Sequence, residues 1–225
     1  MIQYLEELDI ELFCLLNGCH NNFFDEFFWL VTGKFAWIPM ILALLYVSFK
    51  KHWKMGILLI VGIALTITLC DQISSGLIKD IVCRLRPTRN PMLADMVHVV
   101  NDYRGGMYGF VSSHAANSFG VAMLLLMVFR NKFFSWMILL WAILVSYSRI
   151  YLGVHFPGDI ICGGLLGILF GWIVSLLYQK TLQTNVMNDV SNKQFTNADT
   201  QILTYSTLFN FLLLLIISII FYIIK

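Results

Sequence analysis

Long apolar runs with short polar interruptions dominate the chain. Six of them read as membrane-spanning helices, at about 27–49, 55–78, 115–129, 133–152, 157–178 and 205–224. A bilayer asks for about 20 residues per helix. Several runs reach that length only if polar residues at one end sit in the interface. The first run is interrupted by Lys34 and carries Pro39 near the start of its continuous apolar part. In residues 1–26, Leu5, Ile10, Leu12, Phe13, Leu15 and Leu16 interleave with Glu6, Glu7, Asp9 and Glu11. That mixture predicts an amphipathic helix lying on the membrane surface, because the acids rule out a span. Residues 179–204, rich in Asn and Thr, predict a polar linker, and 205–225 a separate C-terminal transmembrane helix. In the fifth run Gly163, Gly167 and Gly171 recur every fourth residue. One face of that helix is therefore smooth and suited to close packing. The expected architecture is all-α: a polytopic membrane bundle of about six transmembrane helices, with its core in 27–178 and an N-terminal interfacial helix.

Composition agrees. Of 225 residues, 59% are hydrophobic and 12% charged, against about 25% charged in average soluble domains. The net charge of +2 gives no reason to expect a nucleic-acid partner; the partner is the lipid bilayer. The opening Met1-Ile2-Gln3-Tyr4 has no basic stretch, so no secretory signal is expected. Five scattered cysteines form no metal-ligand spacing and read as small buried hydrophobes. Lys50, Lys51, Lys54, Arg130, Lys132 and Lys180 mark one side as cytoplasmic. The acidic N-terminal helix and the remaining loops then face the other side, which in a bacterial inner membrane is the periplasm.

Three stretches carry the chemistry: 79–87, 111–114 and 148–159. Ionisable groups in or beside membrane segments are costly and are functional candidates. From His114 the third run descends about 16 residues, or about 24 Å of helix, and the fourth climbs as far back to Arg149. The second run delivers Lys79 to the same side. Lys79 and Arg86 are seven residues apart and share a face if the helix continues, with Pro87 ending it. Pro157 suits the first turn of the fifth helix. Asp159 stands four residues beyond His155, close enough to hold its ring. Ser112 and Ser113 open a helix whose N–H groups favour an anion. A lone arginine near a span end usually snorkels to the interface. Lys79, Arg86, Arg149, His114, His155 and Asp159 converging at one depth is a different matter. Three cations and a helix N-terminus make a phosphate site, and two histidines supply a nucleophile and a general acid.

Lys79-x6-Arg86-Pro87, Ser112-Ser113-His114 and Ser148-Arg149-x5-His155-x3-Asp159 together resemble the three-part signature of the type 2 phosphatidic acid phosphatase superfamily. The second part departs, with Val111-Ser112-Ser113-His114 where the family usually has Pro-Ser-Gly-His. The resemblance implies a helical bundle in which His155 attacks phosphorus, Asp159 orients it and His114 protonates the leaving oxygen. It implies that Lys79, Arg86, Ser112, Ser113 and Arg149 hold the phosphoryl oxygens, with no metal or other cofactor. The implied substrate is a phosphorylated membrane lipid, with the active site facing the periplasm. Candidates are the phosphates of lipid A, with the 4′-phosphate first, then undecaprenyl diphosphate, phosphatidylglycerol phosphate and phosphatidic acid. Specificity is expected in the loop 88–110, where Arg89, Asp95, His98, Asp102 and Arg104 have no assigned role. The vanadium haloperoxidases share such an anion pocket but are soluble. A non-enzymatic lipid carrier would need polar residues through the depth of several spans.

Overall fold

The computed structural model describes residues 2–184 and 195–224. Nine α-helices are formed among them: α1 (Ile2–Gly18), α2 (Asn22–Val31), α3 (Ile38–Lys51), α4 (Trp53–Ile73), α5 (Lys79–Val82), α6 (Ser113–Phe129), α7 (Lys132–Tyr151), α8 (Pro157–Leu182) and α9 (Asn197–Ile224). A π-helical turn, Ser74–Ile78, joins α4 to α5, so Trp53–Val82 is one apolar segment of 30 residues. This segment and α7, α8 and α9 are long and apolar enough to cross a membrane. The pair α2 and Lys34–Lys51 is long and apolar enough for a fifth only when the two are taken together across a 70° bend, as a broken span or a re-entrant loop, and the 17-residue α6 is a shorter apolar helix. The chain is an all-α, multi-pass membrane protein.

The first span is not the continuous helix expected over 27–49. It breaks after Val31, runs through a 3-10 turn at Lys34–Trp37, and restarts with Pro39 in its first turn. A break inside a bilayer leaves backbone groups that need partners. Helix α9 supplies them. Buried Asn210 donates to Ala36 O (2.6 Å) and accepts from Met40 N (3.3 Å), and Ser206 donates to Pro39 O (3.1 Å).

The expected polar linker at 179–204 is also corrected at both ends. Helix α8 continues to Leu182 and α9 begins at Asn197, while 185–194 lie outside the described residues. The early start of α9 has a polar cause. Asp199, in its first turn, accepts from Thr196 N and Oγ1 and pairs with Lys51 at 2.9 Å and Lys50 at 3.8 Å. Carboxylates are favoured at helix N-termini. The basic turns expected on one side do share this end, where Met55, Arg130, Gln179 and Thr196 line one cavity.

The glycine face of α8 lies on α6, as the fourfold spacing predicts. A Cβ on Gly163 would stand 2.5 Å from Ser112 O, on Gly167 2.1 Å from Ala116 O, and on Gly171 2.2 Å from Gly120 O. No side chain fits there, so the two backbones touch over two helical turns. On its other side α6 meets α4 through Cys70 Sγ to Ala116 O (3.4 Å) and Asn117 to Asp71 (2.9 Å), and the π-helical turn through Ser113 to Ser75 (2.6 Å). These contacts lock α6 between α4 and α8 and fix where its N-terminus sits. Cys70 is buried, but Cys14, Cys19, Cys83 and Cys162 are exposed, against the expectation of buried thiols; all five are free.

Candidate active site

The polar stretches gather at the end of the bundle opposite Asp199. Each arrives by a different local device. The helix carrying Lys79 ends at Val82, where Cys83 takes a left-handed conformation (φ 51°). Arg86 is therefore not on a continuation of that helix, as its seven-residue spacing suggested. It lies in an extended strand-like stretch paired with 107–109, through Arg86 N to Met107 O (3.1 Å) and Gly109 N to Arg84 O (2.8 Å). Pro87 explains this, because the residue before proline is pushed out of the helical region, and Arg86 sits at φ −68°, ψ 156°.

Ser112 caps α6. Its hydroxyl accepts from Ala115 N, and its own N–H donates to Asp159 O at 3.0 Å, tying the start of α6 to α8. At the end of α7 the chain turns sharply, with Val154 N bonded to Arg149 O (3.1 Å). The turn needs Gly153, at φ 72°, where a Cβ would stand 2.4 Å from Val97 Cγ1. It delivers His155 just ahead of Pro157, the first residue of α8.

His155 is buried, with its Nδ1 3.2 Å from Asp159 Oδ2 and its Nε2 3.3 Å from Arg86 Nη1. A guanidinium only donates. Nε2 is therefore the acceptor, the ring proton sits on Nδ1, and Asp159 takes it. Asp159 is buried as well, and the same oxygen accepts from Phe156 N at 3.0 Å. Burial, and then the charges of Arg86, Arg149 and Lys79, hold the His155 imidazole well below its ordinary pKa of 6.5. The ring is neutral at pH 7 with its lone pair on Nε2.

Arg86 touches this nitrogen, and Arg149 and Lys79 act on the ring electrostatically. Arg86 is fixed by donation from Nε to Tyr108 O (3.0 Å) and from Nη1 to Val154 O (3.2 Å). Lys79 donates to Ser113 Oγ (2.8 Å) and Ser75 Oγ (3.1 Å). Arg149 is buried and donates to Thr32 Oγ1 (2.6 Å) and Tyr103 OH (3.1 Å), while its buried Nε has no partner. Among the described residues none of the three pairs with a carboxylate. Burial and the neighbouring Arg149 charge lower the pKa of Arg86, yet arginine stays charged in proteins. Like charges held together in this way make a site suited to an anion. His114 stands in the first turn of α6, within electrostatic reach of Arg149, His155, Lys79 and Arg86.

The structure thus gathers Lys79, Arg86, Ser113, His114, Arg149, His155 and Asp159. Ser112 joins them at the helix start, where its hydroxyl accepts from Ala115 N and keeps its own hydrogen to donate. Sequence reasoning missed Arg84, whose guanidinium bridges Asp159 Oδ1 (2.9 Å) and Asp9 Oδ2 (2.7 Å). It also missed Thr32 and Tyr103, the partners of Arg149, and Gly109, where a Cβ would stand 2.9 Å from Asp159 Oδ2. In the loop 88–110, Arg89 donates to Gly105 O, Thr88 to Arg104 O, and His98 pairs with Asp25 at 2.7 Å. Among the described residues no group of three His, Cys, Asp or Glu side chains could hold a metal ion.

A family model described as the PAP2 superfamily matches residues 53–183, more than half of the chain. The chain belongs to the PAP2 superfamily. The matched span includes every residue of the cation and histidine cluster, while Asp9, Thr32 and Asp25 lie outside it. Over 225 residues the chain is 40% identical to a protein of Bacteroides thetaiotaomicron named lipid A 4′-phosphatase, covering 98% of this chain and 99% of that one. A lipid A 4′-phosphatase of Porphyromonas gingivalis is 40% identical over 178 residues, covering 79% of this chain and 75% of the relative. Among solved structures, the crystal structure of Aquifex aeolicus LpxE superposes with a TM-score of 0.60 at 29% identity, covering 76% of this chain and 96% of LpxE. The first similarity extends through the N-terminal helix and the bent span, beyond the segment that the family model describes.

Proposed function

We propose that this protein removes the 4′-phosphate of lipid A at the periplasmic face of the inner membrane, through a phosphohistidine on His155. The observation that carries the chemistry is the imidazole with its lone pair on Nε2, set near three cations that pair with no carboxylate among the described residues. The full-length similarity to a lipid A 4′-phosphatase supports the choice of substrate. Lys79, Arg86, Ser113 and Arg149 bind the phosphoryl oxygens. Ser112 adds its hydroxyl hydrogen and the helix N-terminus it caps. Nε2 of His155 attacks phosphorus in line with the sugar oxygen. The Nε2–P bond forms as the P–O bond to the sugar breaks, and His114 gives its proton to the departing oxygen. Asp159 keeps the Nδ1 proton in place and stabilises the ring as it becomes cationic. Water then attacks the phosphohistidine, giving a proton back to His114 and releasing inorganic phosphate.

In the membrane α1 lies at the interface, residues 27–178 carry the chemistry, and the Lys50–Lys54 turn faces the cytoplasm. The test incubates purified protein with bisphosphorylated lipid A and reads products by mass spectrometry, with fragmentation to locate the remaining phosphate. The expected product has lost one phosphate, from the distal sugar. Loss of the 1-phosphate alone, or release of phosphate from undecaprenyl diphosphate but not from lipid A, rejects the substrate.

A further inference from the structure

One cation of the motif end lies outside the phosphate cluster. Arg84 is bound to two carboxylates. It donates from Nη1 to Asp159 Oδ1 at 2.9 Å and from Nη2 to Asp9 Oδ2 at 2.7 Å. Its guanidinium carbon lies 4.2 Å from the centre of the Phe156 ring, which fixes its plane. Asp9 belongs to α1, and its other oxygen accepts from Gly158 N at 2.7 Å. That N–H is one of the free donors at the start of α8, the helix that carries Asp159. The apolar side of α1 seats the same assembly, where Phe13 packs edge-on against Phe156 at 5.3 Å and buries beside Leu93 and Ile150.

We infer that Arg84 and Asp9 are positioning residues for catalysis, and that the N-terminal helix completes the active site by holding Asp159 to the His155 ring. The inference rests on the phosphoryl-transfer reading of His155.

The argument is one of competition between charges. A buried carboxylate takes a cationic partner where one is in reach. Asp159 has two oxygens. Oδ2 faces His155 Nδ1 and Phe156 N, and Oδ1 faces Arg84. Arg86, beside the same histidine, is the next cation available. With Oδ1 occupied by Arg84, Arg86 stays with Tyr108 O, Val154 O and the substrate. Without Arg84, Asp159 draws on Arg86, which weakens the anion site and turns the carboxylate away from Nδ1. Asp9 in turn keeps Arg84 from swinging out to solvent, since Arg84 is the more exposed member of the pair with Asp159.

Vanadate tests this without regard to which lipid is the substrate. It occupies the phosphate position and bonds to a histidine nitrogen whose lone pair is correctly aimed. Its affinity is measured on the purified full-length protein in detergent, beside kcat and KM for p-nitrophenyl phosphate. Arg84→Gln should weaken vanadate at least about tenfold and lower kcat about 10²-fold, with KM changed far less. Arg84→Lys should recover part of both. The deciding comparison is the double mutant. In an Asp159→Asn background Arg84→Gln should cost less than about threefold more, because the two residues act as one unit. Asp9→Asn, which keeps volume, should weaken vanadate several-fold in the wild-type background and not in Asp159→Asn. It carries the test if Arg84→Gln does not fold. Full additivity with Asp159→Asn, or unchanged vanadate affinity in Asp9→Asn, overturns the inference. Tight vanadate binding that obeys the cycle in a protein inert toward lipid A would reject the proposed substrate and leave this inference standing.

Discussion

His98 and His155 each pair with a carboxylate, and the two pairs are built differently. His98 directs Nε2 at Asp25 Oδ1 (2.7 Å), an oxygen that also accepts from Tyr151 OH at 2.6 Å. Its ring is stacked on His20 at 3.8 Å, and its backbone N–H donates to Asn17 Oδ1 at 2.8 Å. Everything it touches joins the loop 88–110 to α1, α2 and α7. His155 uses Nδ1 instead, on Asp159, and presents Nε2 to Arg86. The His98 pair is partly exposed, with side chains 18% and 22% accessible, whereas those of His155 and Asp159 are 2% and 0% accessible. The same two side chains thus form a clamp in one place and, in the reaction proposed above, a nucleophile with its support in the other. What separates them is which nitrogen the carboxylate takes and whether unpaired cations await the other one.

The largest effect should come from His155→Ala. No phosphoenzyme can form, so activity on lipid A and on p-nitrophenyl phosphate should both fall to background in a steady-state assay. Near wild-type turnover on either would erase the contrast. His114→Ala comes next. General acid catalysis is worth about 10²–10⁴-fold, and a sugar oxygen needs it while p-nitrophenolate does not. The variant should therefore lose about that much on lipid A and keep much more on p-nitrophenyl phosphate; an equal loss on both removes the acid's role from His114.

The pH dependence sharpens the comparison further. His155 in the folded protein has a pKa below its ordinary 6.5, so the unfolded chain takes up its proton first. Folding stability should fall as pH drops through about 6.5, by up to about 1.4 kcal/mol per pH unit, and level off only below the folded value. His155→Gln should flatten that slope in thermal unfolding scans across pH 5–7. An unchanged slope would mean that the buried ring titrates normally. The smallest effect is reserved for the clamp. His98→Ala should cost about 1–2 kcal/mol of stability through its lost bonds, seen as a lower Tm, with kcat reduced less than about threefold. A loss of kcat comparable to that of His155→Ala would make His98 part of the chemistry.

The sequence made one part of the site legible and hid another. Lys79, Arg86, His114, Arg149, His155 and Asp159 stand out because charge is rare in this chain and each lies at the end of an apolar run. The glycine face of α8 was readable because its spacing matches one helix face. The partners of those residues were not readable. Asp9 and Arg84 are brought together only by folding, and nothing local distinguishes Asp9 from Glu6, Glu7 or Glu11 on the same helix. The break in the first span left Lys34 and Pro39 as signals. Its support is Asn210 on α9, whose pairing to Ala36 and Met40 no periodicity contains. The end of the helix at Val82 was missed because the Lys79–Arg86 spacing fits two helical turns equally well. Pro87 in fact acts earlier, by forcing Arg86 into an extended conformation.

The central claim is that Nε2 of His155 takes the phosphoryl group. It is tested most directly by rapid acid-free quenching of the enzyme during turnover, followed by peptide mapping in mass spectrometry. The account predicts a phosphoryl group on the peptide that carries His155, absent in His155→Ala and accumulating when hydrolysis is slowed. Phosphate found on the peptide that carries His114, or turnover with no phosphoenzyme at all under conditions that preserve phosphohistidine, would contradict it.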